Sequence, residues 1–447
     1  MSHYKPYPAY KDSGVEWIGQ VPEHWLIRPI KGIVSTPITD GPHETPQFYD
    51  HGVPFVSAEA ISDGFLNFEK IRGYISREAH EVYLKKYKPQ KNDIFMIKSG
   101  ATTGVTAIVD TDIEFNIWSP LAVIRCNDAM NSFFVLNYMR SHSFQEGVSQ
   151  NWSFGTQQNI GMGVIGDLHV TAPPLDEQKA IANYLDRETT RIDDLIAKKT
   201  RFIELLKEKR SALITHAVTK GLDPNVKMKD SGVEWIGEVP EHWRLIRLGM
   251  VGSLVKANGG NKQDDADTGV PCIRYGDIYT TYDLQIHNIK KFIKPDAEQD
   301  YTSIHYGDIL FAASGETFEE IGKSVVNLSQ SSACCGGDII ILRLEQKFNP
   351  VFLAYATGSF AAQAQKSIMG KGFTVIHIYG DQLRNIVIAL PSKQEQKLIA
   401  DRIDRETARI DTIIAKTQHS IDLLKERRSA FISAAVTGQI DLRGETA

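Results

Sequence analysis

The most regular hydrophobic pattern in the chain is a heptad. Every seventh position from Leu185 gives Leu185, Ile192, Lys199, Leu206 and Leu213, and the positions four later are Thr189, Ile196, Ile203, Arg210 and Ala217. The residues between them are largely Lys, Arg, Glu and Asp. The same frames recur later as Ile403, Ile410, Thr417, Leu424 and Phe431, with Thr407, Ile414, Ile421, Arg428 and Ala435. Apolar residues at this spacing make a narrow seam along one helix face, which another helix must cover. The ends are marked too. Pro173-Pro174 bars the first helix from extending backwards, Ser392 with Glu395 fits a capping box at the second, and Gly221 and Gly438 stand where a left-handed cap is usual. Each predicted helix has about 43 residues and spans about 65 Å at a rise of about 1.5 Å per residue.

Outside the heptads the periods are shorter. Residues 93–98 (DIFMIK), 121–125 and 338–344 (DIIILRL) read as strands from their apolar runs and β-branching, while 134–140 and 351–357 read as short helices. The expected fold class is α+β: two mixed α/β bodies separated by two long helices paired as an antiparallel coiled coil, with an internal pseudo-twofold repeat.

The repeat is written in the letters. KDSGVEWIG stands at 11–19 and again at 229–237, each followed by VPEHW, at 21–25 and 239–243. DRETTRIDDLIAK at 186–198 answers DRETARIDTIIAK at 404–416 at the same offset of 218 residues that separates Trp17 from Trp235. Between these matches, residues 28–172 and 245–389 have diverged, with faint echoes such as Asn92-Asp93-Ile94 against Gly307-Asp308-Ile309 and Ser99-Gly100 against Ser314-Gly315. The expected divisions are a first body over 1–173 (opening motif 11–25), a helix over 174–222, a second body over 223–390 (opening motif 229–243), a helix over 391–441 and a tail over 442–447. Two matched helices in one chain favour pairing with each other, which would set the bodies at opposite ends of a rod. A simple helical spacer or a homodimerising coiled coil is the alternative.

Composition changes the picture little. With 42% hydrophobic and 23% charged residues the chain has the makings of ordinary cores. Its four cysteines, Cys126, Cys272, Cys334 and Cys335, show no zinc-site spacing and read as reduced thiols. No apolar run reaches the ~20 residues of a membrane span, and the N-terminus lacks a signal-peptide stretch, so the expected location is the cytoplasm. The net charge of −5 is not the basic footprint usual in a nucleic-acid binder, so any such affinity would need local basic patches or basic partners.

Two bodies, each followed by a helix opening near PPLDEQKAIA or LPSKQEQKLIA and carrying D-R-E-T-x-R-I-D, resemble the specificity (S, HsdS-type) subunits of type I restriction–modification enzymes. The motif DSGVEWIGxVPEHW is similar to the one that often opens their target-recognition domains, and the resemblance covers essentially the whole chain. It implies a non-catalytic subunit of a phage-defence system that reads a bipartite, asymmetric double-stranded DNA site, one half per domain, with the helices as a ruler for the gap. It also implies docking of two M (methyltransferase) subunits and of R (restriction/translocase) subunits. No cofactor is expected on this chain; S-adenosylmethionine, ATP and Mg belong to the partners.

Base readout needs donors and acceptors that enter a groove, whereas Lys and Arg on phosphates give position alone. In the first body the loop 98–104 offers Lys98, Ser99, Thr102 and Thr103 between glycines, and the amide-rich stretch 150–159 offers Gln150, Asn151, Thr156 and Gln157. The second body answers with Ser314, Thr317 and downstream Lys323, and with Lys371, Thr374 and His377. Lys85, Lys86 and Lys88, and Lys290 and Lys291, are candidate phosphate contacts. Turns between strands and solvated faces are the plain alternatives. Asp186, Arg187, Glu188 and Arg191, with Asp404, Arg405, Glu406 and Arg409, are repeated helix polars. Their identity in both copies favours two docking sites for one kind of partner over a merely solvated face. Trp17, Trp25, Trp235 and Trp243 are expected to anchor the opening motifs in the cores. His43 and Glu44 belong to a structural or DNA-facing loop.

Two rival classes remain in view. An enzyme would need a D/N-P-P-F/Y tetrad, a phosphate-binding G-x-x-x-x-G-K-S/T loop or H-E-x-x-H, none of which occurs. Glu-x-Lys occurs at 177–179, 345–347 and 395–397 without a Pro-Asp at nuclease spacing. A coiled-coil adaptor with no DNA role is the other.

Overall fold

The apolar runs become strands buried along their length. A computed structural model of the chain describes residues 4–62, 64–154 and 157–444, the side chain of Phe154 excepted. It divides into two units, residues 1–199 with 419–447, and residues 200–418.

In the first unit Ile94–Ile97 lies inside a six-stranded sheet. The order is Thr39–Asp40, Leu121–Ile124, Ile94–Ile97, Thr106–Ile108, Gly64–Leu66, Ile61–Ser62. Every residue of Ile94–Ile97 and Leu121–Ile124 is buried, as a strand covered on both faces requires. A smaller sheet holds Asn116–Ile117, Val53–Val56 and Gly73–Ile75. The helix Ser132–Met139 sets Phe134 and Val135 in one core with Ile94, Met96 and Trp25.

The second unit repeats this plan. Its larger sheet runs Gly252–Lys256, Ile339–Leu344, Ile309–Ala312, Ser324–Asn327, Gln285–Ile286. In both sheets the fourth strand pairs parallel with the fifth. Val270–Ile273 beside Ala333–Cys335 repeats the parallel pair of Val53–Val56 with Asn116–Ile117. The difference lies in the smaller sheet, which has five strands here instead of three. The predicted short helices are present as Ser132–Met139 and Pro350–Gly358.

The long helices run Leu175–Lys220 and Lys393–Val436, 46 and 44 residues. In the first unit Ile181, Ala182 and Leu185 join Phe431, Ile432 and Ala435 in one core, and Asp193 pairs with Arg428 at 2.9 Å. In the second unit Ile214, Ala217 and Val218 join Ile399, Ala400 and Ile403, and Arg210 pairs with Asp411 at 3.0 Å. The chain direction is antiparallel in each. The seam positions Leu185, Ile192, Ile203 and Leu206, and Ile403, Ile410, Ile421 and Phe431, are buried. Gly221 and Gly438 end the helices with φ of +78° and +75°. The expected capping box forms only one arm. Ser392 Oγ accepts from the Glu395 N–H at 3.3 Å, but the Glu395 carboxylate turns away to His242 and Trp243.

All four cysteines are free thiols. Among the described residues no helix is long and apolar enough to cross a membrane.

Candidate nucleic-acid interface

The loop after Ile94–Ile97 and the amide-rich stretch, far apart in sequence, meet in the first unit. Ser99 bridges Asn159, the Ile160 N–H donates to the Lys98 carbonyl at 2.9 Å, and the Gly100 N–H donates to the Gln158 carbonyl at 3.0 Å. Thr103 is buried, its hydroxyl donating to the Gly100 carbonyl at 2.8 Å and reaching the Gln158 carbonyl at 3.3 Å. Gly100 and Gly104 sit at φ of +105° and +98°, which only glycine adopts without strain. The stretch itself is two structures. Gln150 and Asn151 close the helix His142–Asn151, and the Asn151 amide donates to its own helix at the Gly147 carbonyl. Ser153–Phe154 and Gln158–Asn159 then form a hairpin. Thr156 lies outside the described residues. Thr102, Gln150, Asn151, Ser153, Gln157 and Asn159 are exposed on this surface.

The second unit makes the same meeting. Ser314–Gly315 pairs with Ile376–His377, and Ser314 Oγ lies 3.0 Å from His377 Nδ1. His377 stacks on Tyr379 with ring centroids 6.4 Å apart. Lys371 bridges His377 through the backbone, so the intervening residues, with Thr374 exposed, form a tip. Thr317 is exposed as well, and Ser314 is buried. Beside the pairing lies a cavity of about 480 Å³ lined by Lys256, Ser314, Asp338, His377, Tyr379 and Arg384 among others. Sequence reasoning missed Phe373, fully exposed at this tip, and Tyr379; an aromatic among Lys, Gly and Thr was the available signal.

Several candidate cations are engaged internally. Lys86 and Lys98 lie 2.6 and 3.3 Å from the buried Asp40, and His43 lies 3.2 Å from it. Burial alone would raise the Asp40 carboxyl, yet the ammonium groups of Lys86 and Lys98 hold it below its ordinary value. Lys98 is only 14% exposed. His43 is therefore part of this charge cluster. Lys291 pairs with the buried Asp277 at 2.6 Å. Lys323 puts its ammonium on the carbonyls of Tyr279 and Tyr282 at 3.3 and 3.2 Å, and burial lowers its pKa. Lys85, Lys88 and Lys290 are exposed.

On the long helices Glu188 lies 3.9 Å from both Arg187 and Arg191, and Glu406 pairs with Arg402 and Arg409 at 3.2 and 3.1 Å. These are the local ion pairs of an exposed helix face. Asp186 is exposed, whereas Asp404 accepts from Tyr355 and Gln285. The identical letters therefore do not present identical surfaces. Trp25 and Trp243 are buried, as core anchors; Trp17 is half-buried and Trp235 exposed.

A repeated link that sequence reasoning passed over joins each opening motif to its helix. Glu177 accepts from Tyr7 at 2.6 Å and Trp25 at 3.1 Å and lies 2.9 Å from His24 Nε2. Glu395 accepts from Trp243 at 3.0 Å and lies 3.1 Å from His242. Both belong to the Glu-x-Lys triplets, and their recurrence at the 218-residue offset was the available signal.

A family described as "Type I restriction modification DNA specificity domain" matches residues 22–205 and 240–422. The chain is 25% identical over 443 residues to a putative type I restriction enzyme MjaX specificity subunit of Methanocaldococcus jannaschii, covering 95% of this chain and 96% of that one. It is 22% identical over 432 residues to the type I restriction enzyme EcoKI specificity subunit of Escherichia coli, covering 94% and 90%. Among solved structures, one from work on complex assembly and conformational transition of the type I R-M system superposes with a TM-score of 0.70 at 14% identity, over 94% of this chain and 99% of the other. The HsdS subunit from Thermoanaerobacter tengcongensis superposes with 0.51 at 16% identity, over 94% and 98%. With both repeats matched, the chain belongs to the family of type I restriction modification DNA specificity domains.

Proposed function

We propose that this chain is the DNA-reading subunit of a cytoplasmic type I restriction–modification complex and performs no chemistry itself. Its two bodies read the halves of a bipartite, asymmetric duplex site. Its helices set the gap and dock two methyltransferase subunits and the restriction subunits, which use S-adenosylmethionine, ATP and Mg. The bodies and helices divide near 173, 222, 390 and 441.

One observation carries this reading. Both units bring the same two segments together, yet fill that place with different side chains, Thr102, Gln157 and Asn159 in one and Thr317, Thr374 and His377 in the other. A shared scaffold with unlike donors and acceptors suits readers of unlike base sequences. Lys85, Lys88, Lys290 and Lys371 are the phosphate contacts in this reading.

Selection from random duplexes by the assembled methyltransferase tests it. The expected outcome is two short specified blocks separated by a fixed number of unspecified base pairs. Enrichment of a single block, or of none, overturns it.

A further inference from the structure

We infer that the first repeat carries a docking groove for a hydroxylated aromatic side chain of a protein partner, a place that the second repeat fills with its own residues. The inference rests on the reading of the helices as docking surfaces for methyltransferase subunits.

The two repeats provide the comparison. The helices Ser132–Met139 and Pro350–Gly358 start alike, since Asn131 and Asn349 cap them and donate their own N–H groups to Gln178 and Gln396. At the 218-residue offset Asn137 answers Tyr355, and on the long helix Asp186 answers Asp404. Strand register supplies a third position. Ile108 pairs with Ile94 and Val326 with Ile309, and their parallel neighbours are Phe65 and Gln285.

In the second repeat these three positions close on one another. The Tyr355 hydroxyl donates to Asp404 Oδ1 at 2.5 Å, and the Gln285 amide donates to the same oxygen at 2.8 Å. Tyr355 is 3% exposed. Burial, then the bond to Asp404, raises its phenol above the ordinary value.

In the first repeat the same three positions stand open. Asn137 turns its amide onto its own helix at the Phe133 carbonyl. Phe65 and Phe133 are 54% and 41% exposed, and Asp186 is exposed. Around them lies a groove of about 490 Å³, also lined by Asn183 and Thr190. Apolar ring faces beside a carboxylate fit a side chain with an apolar body and a donating tip, and the residue that the second repeat itself puts in this place is a tyrosine, Tyr355. The second repeat shows that chemistry satisfied from within. Two copies of one partner therefore meet unequal surfaces, and the copy on the first repeat gains an anchor that the other lacks.

The test uses the full chain titrated with its methyltransferase subunit, followed by native mass spectrometry and binding calorimetry. The unmodified chain is expected to bind two copies with affinities differing by about tenfold or more, the scale of one buried aromatic anchor. Phe65→Gln with Asn137→Tyr, which copies the closed arrangement, is expected to abolish the difference by weakening the tighter site. Phe65→Ser alone, which leaves the helix untouched, is expected to weaken that site in the same direction. Two equal sites in the unmodified chain, or unequal sites that persist in both variants, overturn the groove and leave the functional reading standing. No binding by the unmodified chain overturns both.

Discussion

Glu177 and Glu395 do one job at two depths. Each ties a tryptophan and a histidine of an opening motif to the first turn of a long helix, but Glu177 also takes the Tyr7 hydroxyl and is buried. A buried carboxylate without donors would cost several kcal/mol, so the Tyr7 and Trp25 donors are what make that depth tolerable. Lys366 is the opposite case. It is fully buried, donates to the Gly322 carbonyl at 2.7 Å, and burial pulls its pKa down to about 7. Between pH 7 and the ordinary lysine value the unfolded chain binds the proton and the folded chain does not. Folding stability of the second unit is therefore expected to rise with pH across that window, by up to about 1.4 kcal/mol per pH unit. Lys366→Met should raise stability at pH 7 and flatten the slope. Urea unfolding at pH 7, 8 and 9 measures both, and a slope unchanged by the substitution would count against this account.

The long helices carry polar residues at seam positions where a stronger coiled coil would place leucine. Arg210 and Arg428 are equivalent positions of the two repeats, and each meets the equivalent aspartate, Asp411 and Asp193. Such partly exposed pairs contribute about 1 kcal/mol or less, so they fix alignment more than they stabilise. A seven-residue insertion keeps the heptad register, whereas four residues would slip it. Seven residues placed in both helices, within 197–204 and 415–422, lengthen each by about 10 Å. In the proposed function this should widen the unspecified DNA gap by about three base pairs, at about 3.4 Å per pair, and leave both half-sites as they were. Random-duplex selection reads the gap directly, and recovery of the original spacing would rule out the helices as its determinant.

At the scale of the whole chain, the duplication predicts modular specificity. Exchange of residues 28–172 for those of another member of the family is expected to change one half-site and preserve the other, read by the same selection; changes in both would end the modular reading. The division into units by contact differs from the order of the letters. Each unit takes one half of each long helix, because antiparallel pairing brings the start of one beside the end of the other. The duplication, the heptads, the glycine-marked C-terminal helix ends and the central strands were legible in the sequence because each is a local pattern. The reciprocal arm of the capping box at Ser392 was not, since the Glu395 carboxylate goes to His242 and Trp243. The neighbours of Ser99 and Ser314 were not, since Asn159 and His377 arrive from some 60 residues away through strand pairing. Nor was the fate of the lysines. Lys86, Lys98, Lys291 and Lys323 look like free cations as letters, and only packing shows them spent on Asp40, Asp277 and backbone carbonyls. Identical letters at Asp186 and Asp404 likewise became an open carboxylate and a closed one, decided by what faces them: Tyr355 and Gln285 donate to Asp404, whereas Asn137 and Phe65 stand beside Asp186. What the sequence alone determined is the repeated scaffold, because periodicity and capping act within one segment. What the tertiary structure decided is which side chains remain for a partner, because that depends on which segments meet.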